Sequence, residues 1–187
     1  GTVGTGIGGA LNIRTDNIVL NAATVLTTGS VNFVVQNAVT LNAGLNAGAT
    51  VSISANQDGV LAEGFTQNLN GNITSNNSTL TAIQIVVNTN AGGTGTAALR
   101  QLTASNGLAR VSVNANGGAI TDADNSGSAN ITAFQALLKG TGGVGAAGNP
   151  LETAIVQLDV SNLGSGGIFA INAGALTLTD LGIIPDF

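Results

Sequence analysis

The best candidate for a chemically active loop is the stretch at residues 122–127, which reads DADNSG. It matches the start of a calcium-binding loop, in which oxygen-bearing side chains at alternate positions turn inward towards the cation. Such a loop needs a bidentate glutamate at its twelfth position, which here is Ala133. The sequence therefore predicts at most a weak Ca²⁺ site through Asp122, Asp124 and Ser126. The alternative is an acidic turn between two strands.

No other group of residues in the sequence points to catalysis. The chain contains no histidine and no cysteine, so it lacks a side chain that ordinarily titrates near pH 7 and the usual ligands of zinc, haem and iron–sulfur clusters. Arg100 and Arg110, taken with the two carboxylates of the loop, are the nearest approach to a polysaccharide-degrading site. Those carboxylates share one turn instead of facing each other across a substrate. We therefore expect no enzymatic activity, and no cofactor other than the hypothetical Ca²⁺.

Charged residues make up only 7% of the 187-residue chain, with four basic and nine acidic side chains and a net charge of −5. Such a chain has no basic patch that could release counterions from nucleic acid, so nucleic acid is not an expected partner. No apolar run reaches the ~18 residues of a membrane-spanning helix. Asn, Thr, Ser, Gln and Gly must therefore provide most of the hydrated surface.

The segments that must position these residues are predicted to be short β-strands, because apolar and small polar residues alternate along most of the chain. The words VTLNA, VSISA, VSVNA and FAINA share this pattern, with Asn or Gly at the breaks. The best helical candidate, residues 131–139, is short, and a strand over 131–134 is the stronger prediction. Strands are predicted at residues 18–22, 31–36, 39–43, 51–55, 79–87, 98–104, 111–115, 131–134, 154–160, 168–172 and 175–181.

The spacing of the strands favours a coil of about 20 residues per turn, which is the short period of a β-solenoid. We interpret the intervals from Asn21 to Asn42, from Ser54 to Asn114 and from Asn114 to Asn172 as one, three and three turns. They predict eight or nine rungs and a rod roughly 40 Å long at about 4.8 Å per rung. Recurrent Asn at strand ends also predicts ladders in which like amides hydrogen-bond along the stack.

An antiparallel β-sandwich is the alternative fold, because it also has short strands and glycine-rich turns. The chain has no Trp and no Tyr and only five Phe, whereas sandwich cores usually rely on large aromatic anchors. A narrow coil is instead filled by Val, Ile, Leu and Ala, which this chain has in abundance. Composition therefore favours the solenoid.

Several longer words extend this interpretation: VTLNAG, VSISANQDGV, GGTGTAALRQLTA, GGAITD, GNPLETAIVQLDV and GGIFAINAGALTLTDLG. Together they resemble the repeat region of large bacterial surface proteins of the filamentous-haemagglutinin-type adhesin class, over about residues 18–182. The resemblance implies a right-handed parallel β-helix that is exported to the cell surface as an adhesive or structural filament. It carries no catalytic motif, so it assigns no functional residue.

These observations combine into one expectation for residues 1–187: a single all-β domain, a right-handed parallel β-solenoid that is a segment of a longer repeat protein or a fibre subunit. Its expected role is a structural, non-catalytic extracellular filament or adhesin stalk at the bacterial cell surface. Its expected partner is itself, through end-to-end or lateral stacking, because uncapped solenoid ends are open to pairing. The alternatives are a carbohydrate- or surface-binding module that contacts surface glycans and a β-helix polysaccharide-degrading enzyme.

Overall fold

The computed structural model describes residues 5–90 and 92–182, with the backbone alone for residues 5–7. Every regular element in this part of the chain is a β-strand, and every pair of neighbouring strands is parallel. The predicted parallel solenoid is therefore confirmed, and the antiparallel sandwich is wrong.

Three sheets, named A, B and C, contain all the strands. Sheet A consists of β1 (Thr5–Ile7), β4 (Thr24–Leu26), β7 (Leu45–Ala47), β10 (Ile73–Ser75), β13 (Leu102–Ala104), β16 (Ile131–Ala133), β18 (Leu151–Ala154) and β20 (Ala170–Asn172). Sheet B consists of β2 (Leu11–Thr15), β5 (Val31–Val35), β8 (Val51–Ala55), β11 (Ile83–Val87), β14 (Arg110–Ala115), β17 (Gln135–Gly140), β19 (Gln157–Ser161) and β21 (Thr177–Leu178). Sheet C consists of β3 (Ile18–Leu20), β6 (Val39–Leu41), β9 (Phe65–Gln67), β12 (Ala97–Leu99) and β15 (Ile120–Asp122).

The chain visits sheets A, B and C in turn, and each circuit forms one coil of the solenoid. Coils 1 to 5 each contribute one strand to every sheet, and single parallel bridges through Val144 and Ile168 extend sheet C into coils 6 and 7. Coil 8 consists of β20 and β21. Eight coils agree with the predicted eight or nine rungs, and at about 4.8 Å per step the first and last strands of sheet B lie about 34 Å apart.

The inside of the solenoid is built from columns of like residues, because parallel strands in register place each inward side chain on the one below it. Phe33 and Phe65 are the largest fully buried side chains. One inner column of sheet B runs through Leu11, Val31, Val51, Ile83, Val111, Ala136, Leu158 and Leu178. The inner column of sheet C runs through Ile18, Val39, Phe65, Ala97, Ile120, Val144 and Ile168.

The outer face of sheet B is also buried in the middle coils. Outward-facing Val86, Asn114 and Leu137 are covered almost as completely as the core. Because both faces are buried, residues 83–87 are apolar except for Gln84 and do not alternate between apolar and polar. The outer face of this sheet is therefore open to solvent mainly in coils 1 and 2, where Asn12 and Asn32 are exposed.

Two spacing predictions and the helical candidate need correction. Val86 pairs with both Ser54 and Asn114, so the interval from Ser54 to Asn114 spans two coils and not three. Asn172 lies in sheet A, whereas Asn114 lies in sheet B, so these two residues share no column. The middle coils are longer than the predicted period because loops project outward at their corners. Residues 131–139 form strands β16 and β17 and not a helix.

Amide ladders run along two corners of the solenoid, as predicted. At a solvent-facing corner, the Nδ2 of Asn42 donates to the Oδ1 of Asn21 at 2.7 Å, and the Nδ2 of Asn68 donates to the Oδ1 of Asn42 at 2.7 Å. At a buried corner, the Nδ2 of Asn56 donates to the Oδ1 of Asn88 at 2.7 Å. The interval from Asn21 to Asn42 thus corresponds to one coil, as the spacing predicted.

Asn88 is the centre of the buried corner. Its Oδ1 also accepts the N–H of Gly95 at 3.1 Å, and its Nδ2 donates to the carbonyls of Gly95, at 2.8 Å, and Asn116. A side chain at Gly95 is excluded, since its Cβ would lie 1.6 Å from the carbonyl oxygen of Glu63. Asn88 has φ +61°, a left-handed conformation that Asn tolerates better than other residues with side chains. One side chain therefore links three successive coils.

We expect Asn88→Ala to lower the free energy of unfolding by at least about 3 kcal/mol, because it leaves several buried polar groups without partners and puts Ala in a left-handed conformation. Asn42→Ala is the matched control, and the loss there should not exceed about 1 kcal/mol, since water can replace its partners. Urea denaturation followed by circular dichroism measures both. Equal losses for the two variants would contradict the importance of the buried ladder.

Candidate functional site

The acidic loop predicted from the sequence connects sheet C to sheet A in coil 5. Asp122 ends β15, and its side chain is more than nine-tenths buried. Its Oδ1 accepts the backbone N–H of Asp124 at 3.1 Å and the Nδ2–H of Asn130 at 2.7 Å, while its Oδ2 accepts the N–H of Asn125 at 2.7 Å. The carboxylate is therefore committed to holding the loop in shape.

The other two predicted ligands also have partners within the protein. One oxygen of Asp124, Oδ2, lies 2.6 Å from the Nη1 of Arg100, and the other, Oδ1, accepts the N–H of Ser126 at 3.3 Å. The hydroxyl of Ser126 accepts the N–H of Ser128 at 3.2 Å. The structure thus brings Asp122, Asp124 and Ser126 together in one loop, and it adds Arg100 as a counter-charge.

The surroundings shift the pKa values of two carboxyls of this region in opposite directions. Burial acts to raise the pKa of Asp122, but the hydrogen bonds from Asp124, Asn130 and Asn125 together hold it below its usual range. Burial, followed by the negative charge of Asp122, raises the pKa of Glu152. Glu152 carries a buried oxygen, Oε2, with no hydrogen-bond partner among the described residues. The surroundings therefore stabilise the ionised form of Asp122 and destabilise the ionised form of Glu152.

A cavity of about 180 Å³ beside the loop is lined in part by Asn72, Arg100, Asp124 and Ser126. A cation there would compete with the guanidinium of Arg100 for Asp124. Within residues 5–90 and 92–182, no three carboxylate side chains lie close enough together to hold a metal ion jointly. Ca²⁺ binding through Asp122, Asp124 and Ser126 stays a prediction.

Arg110 lies apart from the acidic loop, on the outer face of sheet B. Its Nε donates to the carbonyl of Leu80 at 3.2 Å, and its Nη1 donates to the carbonyl of Leu181 at 3.2 Å. Burial lowers the pKa of Arg110, and the charge of Asp159 acts against this shift. Asp159 in turn accepts the N–H of Leu181 at 2.9 Å. Arg110 thus holds the segment after coil 8 against the outer face of sheet B. Of Arg100 and Arg110, only Arg100 contacts a carboxylate of the acidic loop.

The two ends of the solenoid leave inward-facing apolar residues uncovered. At the first coil, Leu11 and Ile18 are only partly buried, and they line a cavity of about 290 Å³ with Phe33. At the other end, the columns stop at Leu178 and Ile168, which are 71% and 45% exposed. These positions belong to columns that are almost fully buried in the coils between. The first and last coils of the described residues therefore present two apolar surfaces of the same origin.

A third apolar surface, which sequence reasoning missed, runs along the corner between sheets A and B. In coils 4 to 8 this corner carries an exposed or half-buried apolar side chain at each level, and we name it the corner stripe. Its members are Leu80, Leu108, Phe134, Val156 and Leu176. The sequence signal that could have revealed the corner stripe was an apolar residue shortly before each sheet B strand of coils 4 to 8. Periodicity within strands does not reveal it, because the stripe lies outside them.

Comparison with protein-family models, with curated proteins and with solved structures found no match to the chain. None of the elements formed by residues 5–90 and 92–182 is a helix long and apolar enough to cross a membrane. The functional interpretation therefore depends on the geometry of the loop, the ends and the corner stripe.

Asp122→Asn should lower the free energy of unfolding at pH 7 by about 2–3 kcal/mol, since hydrogen bonds to a buried carboxylate are lost. The folded pKa of Asp122 lies below the unfolded one, so its stabilising effect is complete above the unfolded value of about 3.9 and is lost as the pH falls through the folded value. The variant should therefore lose less stability than the parent on acidification below about pH 4. Exposed Asp16→Asn is the control. Parallel pH–stability curves for parent and Asp122→Asn would contradict this assignment.

The calcium hypothesis predicts a rise in the thermal unfolding midpoint when millimolar Ca²⁺ is added. The rise should disappear in Asp124→Asn and persist in Asp16→Asn, which changes charge equally outside the loop. Differential scanning calorimetry with Ca²⁺ and with Mg²⁺ measures the effect. An unchanged midpoint across a dilution series of Ca²⁺ up to about 10 mM rejects a site even of the weakest class.

Proposed function

We propose that the protein is a structural, non-catalytic filament or stalk element that self-associates by stacking its β-coils. The observation that carries the proposal is the stack of eight coils in parallel register, through which inner columns run without a break from Leu11 to Leu178 and from Ile18 to Ile168. Burying such apolar surface is worth about 25 cal/mol per Å². Each inner residue between the first and last described coils is covered by the next coil, so stacking of coils is the way in which this chain buries apolar surface.

Stacking of coils suits a mechanical role. Each step along the axis is bridged by backbone hydrogen bonds in two or three sheets and by the buried core columns, and amide ladders such as Asn21–Asn42–Asn68 bridge some of the steps. Load along the axis is therefore shared among many parallel contacts. The polar groups of the acidic loop also stabilise the rod, because hydrogen bonds and the Arg100–Asp124 ion pair hold the loop in place.

Lateral contact is supported by the corner stripe. Exposed apolar residues scattered singly are ordinary, but an aligned series over five coils offers a continuous edge to a neighbouring rod. The low charge of the chain, 7% of residues, weakens the repulsion that would keep rods apart. The stripe is narrow, so we assign it to bundling of rods that have already formed and not to dimerisation.

The site of action that we propose is outside the cell, on a bacterial surface. The resemblance of the repeat words to adhesin repeat regions supports it, as does a surface of Asn, Thr and Ser in place of charge. Protease treatment of intact cells that express the protein tests this location, with lysed cells as the control. Digestion only after lysis would reject it.

Purified protein should form rods that lengthen with concentration. Negative-stain electron microscopy should show filaments whose width matches one solenoid, and light scattering should show a mass that rises with concentration and falls on dilution. Both methods need the same samples, from micromolar to millimolar protein. Single particles of monomer mass throughout that range would reject self-association and leave the structural role without support.

A further inference from the structure

We infer that the cavity of about 180 Å³ beside the acidic loop is a binding site for one unit of a neutral saccharide, which it holds through hydroxyl groups. Asn72 lies before β10, Arg100 and Gln101 lie before β13, and residues 124–128 lie before β16. Because these three strands are neighbours in sheet A, the three turns meet at one corner on the side of the rod. The inference is therefore independent of the proposed filament.

Asn72 provides an acceptor that the fold leaves unused. Its Oδ1 is buried and accepts no hydrogen bond from any group of residues 5–90 and 92–182. Buried polar atoms without a partner are rare in folded proteins, because each one has lost its bonds to water. The backbone of Asn72 is held in place, since its carbonyl accepts the N–H of Leu45 at 2.9 Å. The wall of the cavity thus contains an acceptor that a ligand can satisfy.

Arg100 provides donors in the same cavity. Its backbone N–H donates to the Oε1 of Gln67 at 3.0 Å, and its Nη1 lies 2.6 Å from the Oδ2 of Asp124. These two contacts fix the guanidinium, whose side chain is only 26% exposed. A guanidinium has five N–H groups, and those on Nε and Nη2 have no acceptor in the part of the chain that the structure describes. Arg100 is therefore a positioned donor with unused capacity.

Three further side chains add groups that can both donate and accept. The hydroxyl of Ser126 accepts the N–H of Ser128 at 3.2 Å and keeps its own proton to donate. The amide of Gln101 and the hydroxyl of Ser128 line the cavity without a hydrogen-bond partner among the described residues. The cavity therefore combines donors and acceptors from three turns around one space.

This mixture selects the chemistry of the ligand. A metal cation binds only acceptors and would meet the guanidinium of Arg100. An anion binds only donors and would meet Asp124, with the charges of Asp122 and Glu152 close by. An alcohol hydroxyl donates and accepts at the same oxygen, so it can bond to Arg100 and to Asn72 without opposing either charge. A saccharide presents several such hydroxyls at fixed positions.

The volume of the cavity limits the ligand to one sugar ring. At ~30 Å³ per water molecule the cavity has room for on the order of six waters, which is too small for a longer saccharide. The chain has no Trp or Tyr on which a sugar ring could stack. Hydrogen bonds must therefore carry the binding, and we expect dissociation constants in the millimolar range.

Saturation-transfer NMR of the 187-residue chain in EDTA tests the ligand class. The probes are the methyl glycosides of glucose, galactose, mannose and N-acetylglucosamine at up to about 50 mM, with glucuronate and glucosamine as negatively and positively charged comparisons. At least one neutral glycoside should bind more tightly than both charged sugars. Tighter binding of a charged sugar, binding of no sugar, or binding only when Ca²⁺ replaces EDTA overturns the inference.

Asn72→Ala tests the location of the site. Because it removes an acceptor that has no partner, it should not lower the melting midpoint of the unbound protein, whereas the affinity for the best neutral glycoside should fall at least about tenfold. Asn76→Ala is the matched control, since it removes an exposed amide of the same coil outside the cavity and should leave the affinity unchanged. Equal affinities for the two variants overturn the location.

Gln101→Leu provides a second measurement of the same site. It keeps the size of the side chain and removes an amide that has no partner within the described residues, so the fold should be retained. The affinity for the same glycoside should again fall at least about tenfold. In ¹H–¹⁵N spectra of the parent protein, the glycoside should shift the backbone N–H signals of residues 100, 101 and 126. Unchanged affinity in Gln101→Leu, or shifts confined to another part of the chain, overturns the assignment.

Discussion

The whole molecule depends on one constraint, which is that each coil must lie in parallel register on the coil before it. Backbone hydrogen bonds along the axis fix the spacing, and the period-two alternation of side chains then decides which residues point inward. Inward positions form columns, and most of these columns are filled by apolar residues that pack on the apolar residue of the next coil. Val31 on Leu11 and Val51 on Val31 show the rule at its simplest. Residues in excess of the regular coil length must be accommodated in loops at the corners.

The corners show how this accommodation works. Loops of variable length leave the solenoid there, and polar side chains close the gaps that the turning backbone would leave. Asn88 bonds to groups of three successive coils in a buried corner, while Asp122 gathers the N–H groups of its loop around one carboxylate. In a chain with few charges, these amide and carboxylate groups carry the polar part of the stability. The residues most suggestive of chemistry are thus occupied in holding the coil together.

The same constraint produces the surfaces through which we propose that the protein acts. Inside the rod each inner residue is covered by the next coil, as Leu158 is covered by Leu178 and Val144 by Ile168. The corner stripe has a related origin, because register aligns the corner positions of successive coils, and in coils 4 to 8 these positions carry apolar residues. Assembly is therefore an extension of folding and needs no separate binding motif.

The alternation of residues 39–55 was enough to predict strands β6 and β8, because polarity along a strand is a local property. The spacing of Asn21 and Asn42 was enough to predict that these residues lie one coil apart in a solenoid. The sequence also determined that Asp122, Asp124 and Ser126 share one loop. It did not reveal β2, β4 or the ion pair of Arg100 with Asp124, and it misjudged how many coils separate Ser54 from Asn114. Those features depend on loop lengths, which change the number of residues per coil without changing the rise. Only the stacking of the coils decided which residues meet across coils, which outer face is covered and where the columns end.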